Sequence, residues 1–467
     1  MHVNNRHHVI IGDGLTAAEF AKNVVLTAGD RLTIVGSNSN ELGRGLAYRK
    51  VSEDHPWHLA FLLNSPAESV DPEFGRWVRD NWDDIAKRMQ GRRPNWLAAG
   101  ERYSKVGDYG ALNAPRELFG EYLCSLVDQK ISTLRARGVT VNRLDACAMG
   151  MDYEVATQQF HISLDSSETL IASQVDVATG GAQVQSLFAA DGQYSFSQLY
   201  GNEAAIAERV KQGGSVVCLG ANAAMLDTLR LCQSVSATLN FCAVSPSGQL
   251  PEPLIPSQPR KRAEVSLEPH YASAQSLTAA LSCQMDALRR QGYGMAEMRS
   301  PFKSAILTAG LESLLSDPKE ARKVMGQMER LFLRGTRDSL ADFKSLQNDA
   351  QVQLIAGRLV DVKPGSNHIV VTIERRDGSC EERPATALIN CAGAGRAPRF
   401  DTMTEILLDK GWLTRCPISG GLEVGSGLNI GPIGLRYLSP AVTAIGEKAL
   451  AFSLYDASEL RAAVKMS

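Results

Sequence analysis

Residues 9–17 read Val9-Ile10-Ile11-Gly12-Asp13-Gly14-Leu15-Thr16-Ala17. Three apolar residues make a short strand that stops at Gly12, and Ala17, Ala18, Phe20, Ala21, Val24 and Val25 then recur at helical spacing. The spacing predicts a helix over 15–27, punctuated by Gly29-Asp30, and a second strand at Leu32-Thr33-Ile34-Val35. Gly12-Asp13-Gly14-Leu15-Thr16-Ala17 is a G-x-G-x-x-A sequence in a strand–turn–helix setting. Gly12 permits the tight turn, Gly14 lets the backbone approach a pyrophosphate, and Ala17 keeps helix and strand close. The helix N-terminus offers free N–H groups and partial positive charge to the phosphates. The pattern alone also fits a purely structural glycine turn, and the βαβ setting is what points to a dinucleotide site.

Two features of this unit depart from the pattern. An acid that binds the ribose normally ends the second strand, but here Val35 is followed by Gly36 and Ser37. Ser37, Asn38 and Glu41 are the nearby candidates to replace it. Asp13 lies inside the glycine turn, where a carboxylate would repel a pyrophosphate, so its side chain is expected to point outward.

A second unit of the same kind begins midway. Ser215-Val216-Val217-Cys218-Leu219 is a strand, Gly220 turns the chain, 223–234 reads as a helix, and Leu239-Asn240-Phe241-Cys242-Ala243-Val244 is the next strand. Two βαβ starts this far apart imply two nucleotide-binding domains rather than a repeat array. Val175-Asp176-Val177-Ala178-Thr179-Gly180-Gly181 and Ala387-Leu388-Ile389-Asn390-Cys391-Ala392-Gly393 each run a strand into a glycine turn and read as exits from, and returns to, the first domain. The stretch 251–345 opens with Pro251, Pro253, Pro256 and Pro259, then turns helical and mixed in charge, and is expected to elaborate the second domain. The fold class is therefore α/β, Rossmann-like, with a discontinuous first domain over 1–195 and 350–467 and a second over 196–349.

Composition narrows the function. The 467 residues are 44% hydrophobic and 21% charged, with a net charge of −2, as in an ordinary soluble globular protein. That charge gives no field to attract nucleic acid or anionic lipid, and the short basic runs Arg92-Arg93 and Arg260-Lys261-Arg262 read first as surface. No apolar stretch approaches membrane-spanning length, and no apolar leader follows Met1, so a cytoplasmic protein is expected. The nine cysteines contain no C-x-x-C pair, which excludes a dithiol motif and a zinc ribbon, and several sit in apolar runs as buried free thiols. No metal site is expected: His2, His7 and His8 are irregular, and His55 and His58 flank Trp57 with a proline between them. Neither a G-x-S-x-G elbow nor a P-loop lysine is present, so hydrolase and kinase readings have no support.

Further segments carry a family resemblance. Residues 41–48 (Glu-Leu-Gly-Arg-Gly-Leu-Ala-Tyr), His58-Leu59 with 62–67, Phe74-Gly75-Arg76-Trp77, and 114–123 (Ala-Pro-Arg-Glu-Leu-Phe-Gly-Glu-Tyr-Leu) follow one another. So do Val177-Ala178-Thr179-Gly180, Asn390-Cys391-Ala392-Gly393 and Leu428-Asn429-Ile430-Gly431-Pro432-Ile433. In this order they resemble the motifs of a bacterial FAD/NAD(P)-binding flavoprotein family distantly similar to the lysine and ornithine N-hydroxylases. The resemblance implies FAD in the first domain and NAD(P)H in the second, with reduced flavin activating O₂ toward a small amine or amino-acid-like substrate. It implies FAD contacts at Gly12, Gly14, Ala17, Gly43, Arg44, Gly180 and Gly431, a nicotinamide-dinucleotide turn at Gly220, and a pocket beside the flavin ring at His58 and Asn64. Arg116, at a helix start, is placed for an anion, and Trp77, Trp82 and Trp96 read as core or pocket wall.

The second unit departs from the family at three points. In Gly220-Ala221-Asn222-Ala223-Ala224-Met225, Asn222 replaces the second glycine, and Met225 stands at the tight helix contact. Ser245-Pro246-Ser247-Gly248 stands where an arginine for a 2′-phosphate is expected, leaving Arg260, Lys261 and Arg262 as distant candidates. Three readings stay open: an NAD(P)H-using monooxygenase, a flavin oxidase or dehydrogenase reduced by its own substrate, and a non-catalytic flavoprotein-like scaffold.

Overall fold

In the computed structural model the described residues are 5–184, 193–257, 259–394, 398–446, 448–450, 454 and 457–466. The apolar run at 9–11 lies in strand β1 (His7–Ile11), followed by helix α1 (Leu15–Asn23) and strand β2 (Arg31–Gly36). Helix α2 (Arg116–Ala136) leads into β3 (Thr140–Asp145). An antiparallel trio β4 (Ala148–Glu154), β5 (Gln159–Leu164) and β6 (Thr169–Ala172) then precedes β7 (Gln174–Val177).

The second unit comprises β8 (Ser195–Phe196), β9 (Val216–Leu219), helix α3 (Ala223–Val235), β10 (Phe241–Ser245), β11 (Val352–Pro364), β12 (Ile369–Arg375), β13 (Cys380–Ala385) and β14 (Ala387–Asn390). The chain then rejoins the first sheet through β15 (Leu435–Tyr437).

The first sheet has the order β15-β7-β1-β2-β3, parallel throughout. Parallel sheets are covered on both faces, which is why β1 ends in the consecutive apolar residues 9–11, of which Val9 and Ile10 are fully buried. Across its strands, Asp176 of β7 accepts from Arg436 of β15 at 2.7 and 2.8 Å and meets His8 of β1 at 2.8 Å. Burial alone would raise the Asp176 carboxyl, but His8 and Arg436 outweigh it and hold the group below its ordinary range.

The second sheet has the order β13-β12-β11-β10-β9-β14-β8. Its centre is parallel, and β11, β12 and β13 form an antiparallel extension. This corrects the expected boundary at 350. Val352 pairs with Phe241, and Ala387–Asn390 lies beside β9, so 352–390 belongs to the second sheet. Ala387–Asn390 is thus the last strand of the second sheet, not a return to the first. The return falls where Gln183 and Arg399 form an antiparallel bridge, Gln183 N–H donating to the Arg399 carbonyl at 2.8 Å.

The helices Ala274–Arg290, Met295–Ala309 and Pro318–Leu331 correct a second expectation. They lie between β10 and β11 in the chain, yet they build a separate apolar core that includes Cys416, Ala444 and Ala449 of the returning first-domain segment. Among the described residues no helix is long and apolar enough to cross a membrane. All nine cysteines are free; Cys218, Cys232, Cys242, Cys391 and Cys416 are buried, whereas Cys147, Cys283 and Cys380 are exposed.

Candidate functional site

The C-terminal edge of the first sheet gathers most of the glycines singled out in the sequence. Gly12 turns at φ +125°, its N–H donating to the Val35 carbonyl at 2.7 Å. A Cβ there would stand 2.3 Å from the Ala178 carbonyl oxygen, so only glycine lets β1 and β7 leave the sheet side by side. Gly14 begins α1, and no side chain caps the helix N-terminus. Ala17 is fully buried against the sheet. The Gly43 N–H donates to the Asp13 carbonyl at 2.8 Å, and Gly45 places its Cα against that of Gly14. Gly180 turns at φ +109° with open space where a side chain would be. In open α/β sheets this edge, outside the strand ends where strand order reverses, is where ligands bind.

Gly431 does not join them. It precedes β15, which runs parallel to β7, and therefore lies at the opposite, N-terminal edge of the sheet, packed on Trp412. Its neighbour Gly434 sits over the Ser173 carbonyl at the start of β7. The part of the C-terminal segment at the glycine edge is instead 438–440: the Leu438 N–H donates to the Val177 carbonyl and Pro440 packs against Gly181. The direction of β15, not any local signal, decides this.

Arg44 is mostly buried and donates from Nη1 to the carbonyls of Tyr48 and Glu117, both at 3.3 Å. Nη1 fastens the 43–48 loop to α2, while the buried Nε makes no hydrogen bond among the described residues. In the first turn of α2, the Glu117 carboxylate accepts from the amides of Val51 at 3.0 Å and Leu59 at 2.6 Å and meets His58 Nδ1 at 3.1 Å. Leu59 is held at φ +57°, an unusual conformation for a side chain of this size. Sequence reasoning passed over Glu117; an acid at the first turn of a helix facing a loop rich in histidine was the available signal.

His58 Nδ1 also meets the Val51 carbonyl at 3.0 Å, which leaves Nε2 without a protein partner among the described residues. His58 lines a cavity of about 480 Å³ between the two domains, together with Arg93, Trp96, Arg230, Asp338 and Asp342. The Nη1 and Nη2 atoms of Arg230 are buried and make no hydrogen bond among the described residues. Burial pushes the Arg93 guanidinium down and the carboxyls of Asp338 and Asp342 up. Asn64 is half-buried, its side chain making no hydrogen bond among the described residues, and the adjacent Ser65 hydroxyl accepts from Arg334 at 3.1 Å. Trp82 and Trp96 pack on one another, and Trp77 packs on Phe74, so all three serve as wall or core.

The second turn repeats the geometry of the first with a different outcome. Gly220 turns at φ +104°, its N–H donating to the Val244 carbonyl at 2.8 Å, just as Gly12 meets Val35. The start of α3, however, is filled by Asn222. Its Oδ1 accepts from the amides of Ala224 at 3.0 Å and Met225 at 3.3 Å, and its Nδ2 donates to the Cys391 carbonyl at 2.6 Å. The donors that would meet a pyrophosphate are occupied by the protein itself.

The anion found by Arg116 is internal: it pairs with Asp227 of α3 at 3.1 Å, and Tyr200 donates to the same carboxylate at 2.6 Å. Burial pushes the Asp227 carboxyl upward although Arg116 pulls it down. Arg260 is likewise committed, to Glu68 at 2.8 Å and Asp108 at 2.9 Å.

Residues 9–182 match a family model described as FAD-NAD(P)-binding. No curated protein sequence matches the chain. Among solved structures the chain is similar to the FAD-bound cadaverine monooxygenase of the desferrioxamine biosynthetic pathway from Erwinia amylovora, with a TM-score of 0.56, 11% identity, and 99% of this chain and 92% of that one covered. It is also similar to the ornithine N-hydroxylase of Kutzneria sp. 744 at a TM-score of 0.53 and 11% identity, covering 99% of each chain. The ornithine hydroxylase of Pseudomonas aeruginosa gives 0.51 and 11%, covering 98% of each. At that identity the likeness is one of fold, the architecture of flavoproteins with two dinucleotide-binding domains.

Proposed function

We propose that the chain is an FAD-dependent oxidoreductase that oxygenates a small amine or amino-acid-like substrate. The observation that carries this reading is the open helix start at Gly14. Gly14 and Gly180 leave room for a dinucleotide at the edge of the first sheet, and no side chain occupies the α1 amides. The match of residues 9–182 to an FAD-NAD(P)-binding family model supports the choice of cofactor.

In this reading Gly12, Gly14, Ala17, Gly43 and Gly180 hold the cofactor, and Arg44 holds the loop that covers it. The flavin supplies redox chemistry and O₂ activation when bound. His58 and Asn64 line the space beside the ring, with His58 fixed in orientation by Glu117. The cavity next to His58 is lined by the carboxyls of Asp338 and Asp342 and the guanidinium groups of Arg93 and Arg230, with Asp342 at 3.7 Å from Arg93 and 3.8 Å from Arg230. Both charges together suit a substrate with an amine at one end and a carboxylate at the other. The experiment is an absorption titration of the purified chain with FAD, followed by anaerobic NADPH. A bound flavin that NADPH bleaches upholds the monooxygenase reading, whereas a chain that takes up no flavin overturns it.

A second reading has its own observation. Because Asn222 occupies the α3 amides, the flavin would be reduced by the substrate itself, as in an oxidase or dehydrogenase. A flavin that an amine bleaches anaerobically and NADPH does not would decide for it.

A further inference from the structure

Two oddities of the first βαβ unit explain one another. Gly36 ends β2, yet it is not among the glycines in the left-handed region, so its backbone does not call for glycine. Space does. A Cβ on Gly36 would stand 2.7 Å from the Cβ of Asp13 and 3.0 Å from its Oδ2. The Asp13 side chain therefore fills the volume that a side chain at the end of β2 would take, and the Gly12–Val35 hydrogen bond locks the turn to that strand end.

The carboxylate is held there by one oxygen. Oδ2 accepts from the Asn38 amide at 2.7 Å and the Ser37 hydroxyl at 3.0 Å, while Oδ1 makes no hydrogen bond among the described residues. Asn38 and Glu41 bond to each other at 3.1 Å, so neither they nor Ser37 stand in as an independent acid. In a dinucleotide-binding βαβ unit the acid at this strand end takes a ribose hydroxyl.

We infer that Asp13 supplies, from within the glycine turn, the ribose-binding carboxylate that β2 lacks. Oδ1 accepts a hydrogen bond from the adenosine ribose of the dinucleotide held at Gly12 and Gly14. A carboxylate only accepts hydrogen bonds, so the site takes an unmodified ribose and repels one bearing a 2′-phosphate. The inference rests on the FAD reading above and names the residue that recognises the adenosine end.

The test uses the full chain stripped of flavin, titrated by flavin fluorescence with FAD and with an FAD analogue lacking the 2′-hydroxyl of the adenosine ribose. Asp13→Gly, Gly36→Glu, Asp13→Gly/Gly36→Glu and Asp13→Asn are compared with the unaltered chain. The unaltered chain prefers FAD to the analogue by roughly tenfold, the worth of one hydrogen bond to a charged acceptor. Asp13→Gly loses about that factor in FAD affinity and loses the preference. Asp13→Asn, which keeps an acceptor for Asn38, melts near the unaltered temperature and still binds FAD more weakly. Gly36→Glu alone binds poorly because the two side chains collide, and the double variant recovers both affinity and preference. FAD binding and preference unchanged in Asp13→Gly and Asp13→Asn would overturn the inference while leaving the FAD reading intact; an unaltered chain that binds no FAD overturns both.

Discussion

Asn222 is bonded to Cys391 across the tip of the second sheet: its Nδ2 donates to the Cys391 carbonyl at 2.6 Å while its Oδ1 caps α3. One side chain thus closes both the helix start and the gap to the neighbouring strand. Replacing it with glycine, the residue at the matching position of the first unit, frees the two amides. Asn222→Gly should speed anaerobic flavin reduction by NADPH at least several-fold in stopped-flow absorbance. The loss of cap and bond should cost about 1–2 kcal/mol in a denaturant titration. Unchanged reduction would mean that Asn222 does not obstruct the second site.

The two glycines of the first turn should fail differently. Gly12→Ala forces a left-handed residue and a contact with the Ala178 carbonyl, a combination worth about 3 kcal/mol or more. It should show as a sharply lowered melting temperature. Gly14 has φ −85°, and a Cβ there would meet only the Gly45 Cα, at 3.9 Å. Gly14→Ala should therefore melt near the unaltered protein and lose FAD affinity. Equal loss of stability in both variants would sink this separation of roles.

Glu117 carries the loop that contains His58. Glu117→Ala strands the amides of Val51 and Leu59, and two lost bonds to a charged acceptor should cost about 3–5 kcal/mol. Glu117→Gln keeps one acceptor oxygen and should fall between. Limited proteolysis should cut first between Val51 and Leu59 in the alanine variant. Cleavage elsewhere, with a normal melting curve, would show that the loop stands without Glu117.

Asp176 sets an acid limit on the first sheet. Its folded value lies below the ordinary carboxylate range, so its contribution is complete above about pH 4 and is lost as pH falls through the folded value. Urea midpoints of the unaltered chain should drop below that pH. The Asp176→Asn protein should start less stable and show a shallower drop over the same window. Parallel curves would assign the acid sensitivity to other groups.

The glycine turn was legible because its signal is local: Val9–Ile11, Gly12, Gly14 and the helical spacing after Leu15 lie within one short stretch. That Asn222 departs from the glycine pattern is legible in the sequence; that it reaches Cys391 is not, because Cys391 lies 169 positions away. Sheet membership was not legible. Ala387–Asn390 ends in a glycine turn whether it borders β9 or β1, and only the pairing of Leu388 with Val217 separates the two. Gly431 lies in a segment that resembles a flavin-side loop, but the edge of the sheet it occupies depends on the direction of a strand that begins after it. Glu117 was hidden for a related reason: its partners Val51, His58 and Leu59 lie 58 to 66 positions away along the chain.

The bridge between Gln183 and Arg399 makes the nucleotide-binding half a host and the intervening segment a guest. Closing a loop on the order of two hundred residues costs only slightly more chain entropy than closing one half as long. The host can therefore complete its sheet around a large passenger. Splicing residue 183 to residue 399 through a short turn would leave β7 and β15 with their pairing intact, at the expense of every contact the guest makes with the host, among them the Arg116–Asp227 pair and the packing of the helical core on Cys416, Ala444 and Ala449. Exchanging the guest would replace Asp338 and Asp342 in the cavity while leaving the register of the host in place.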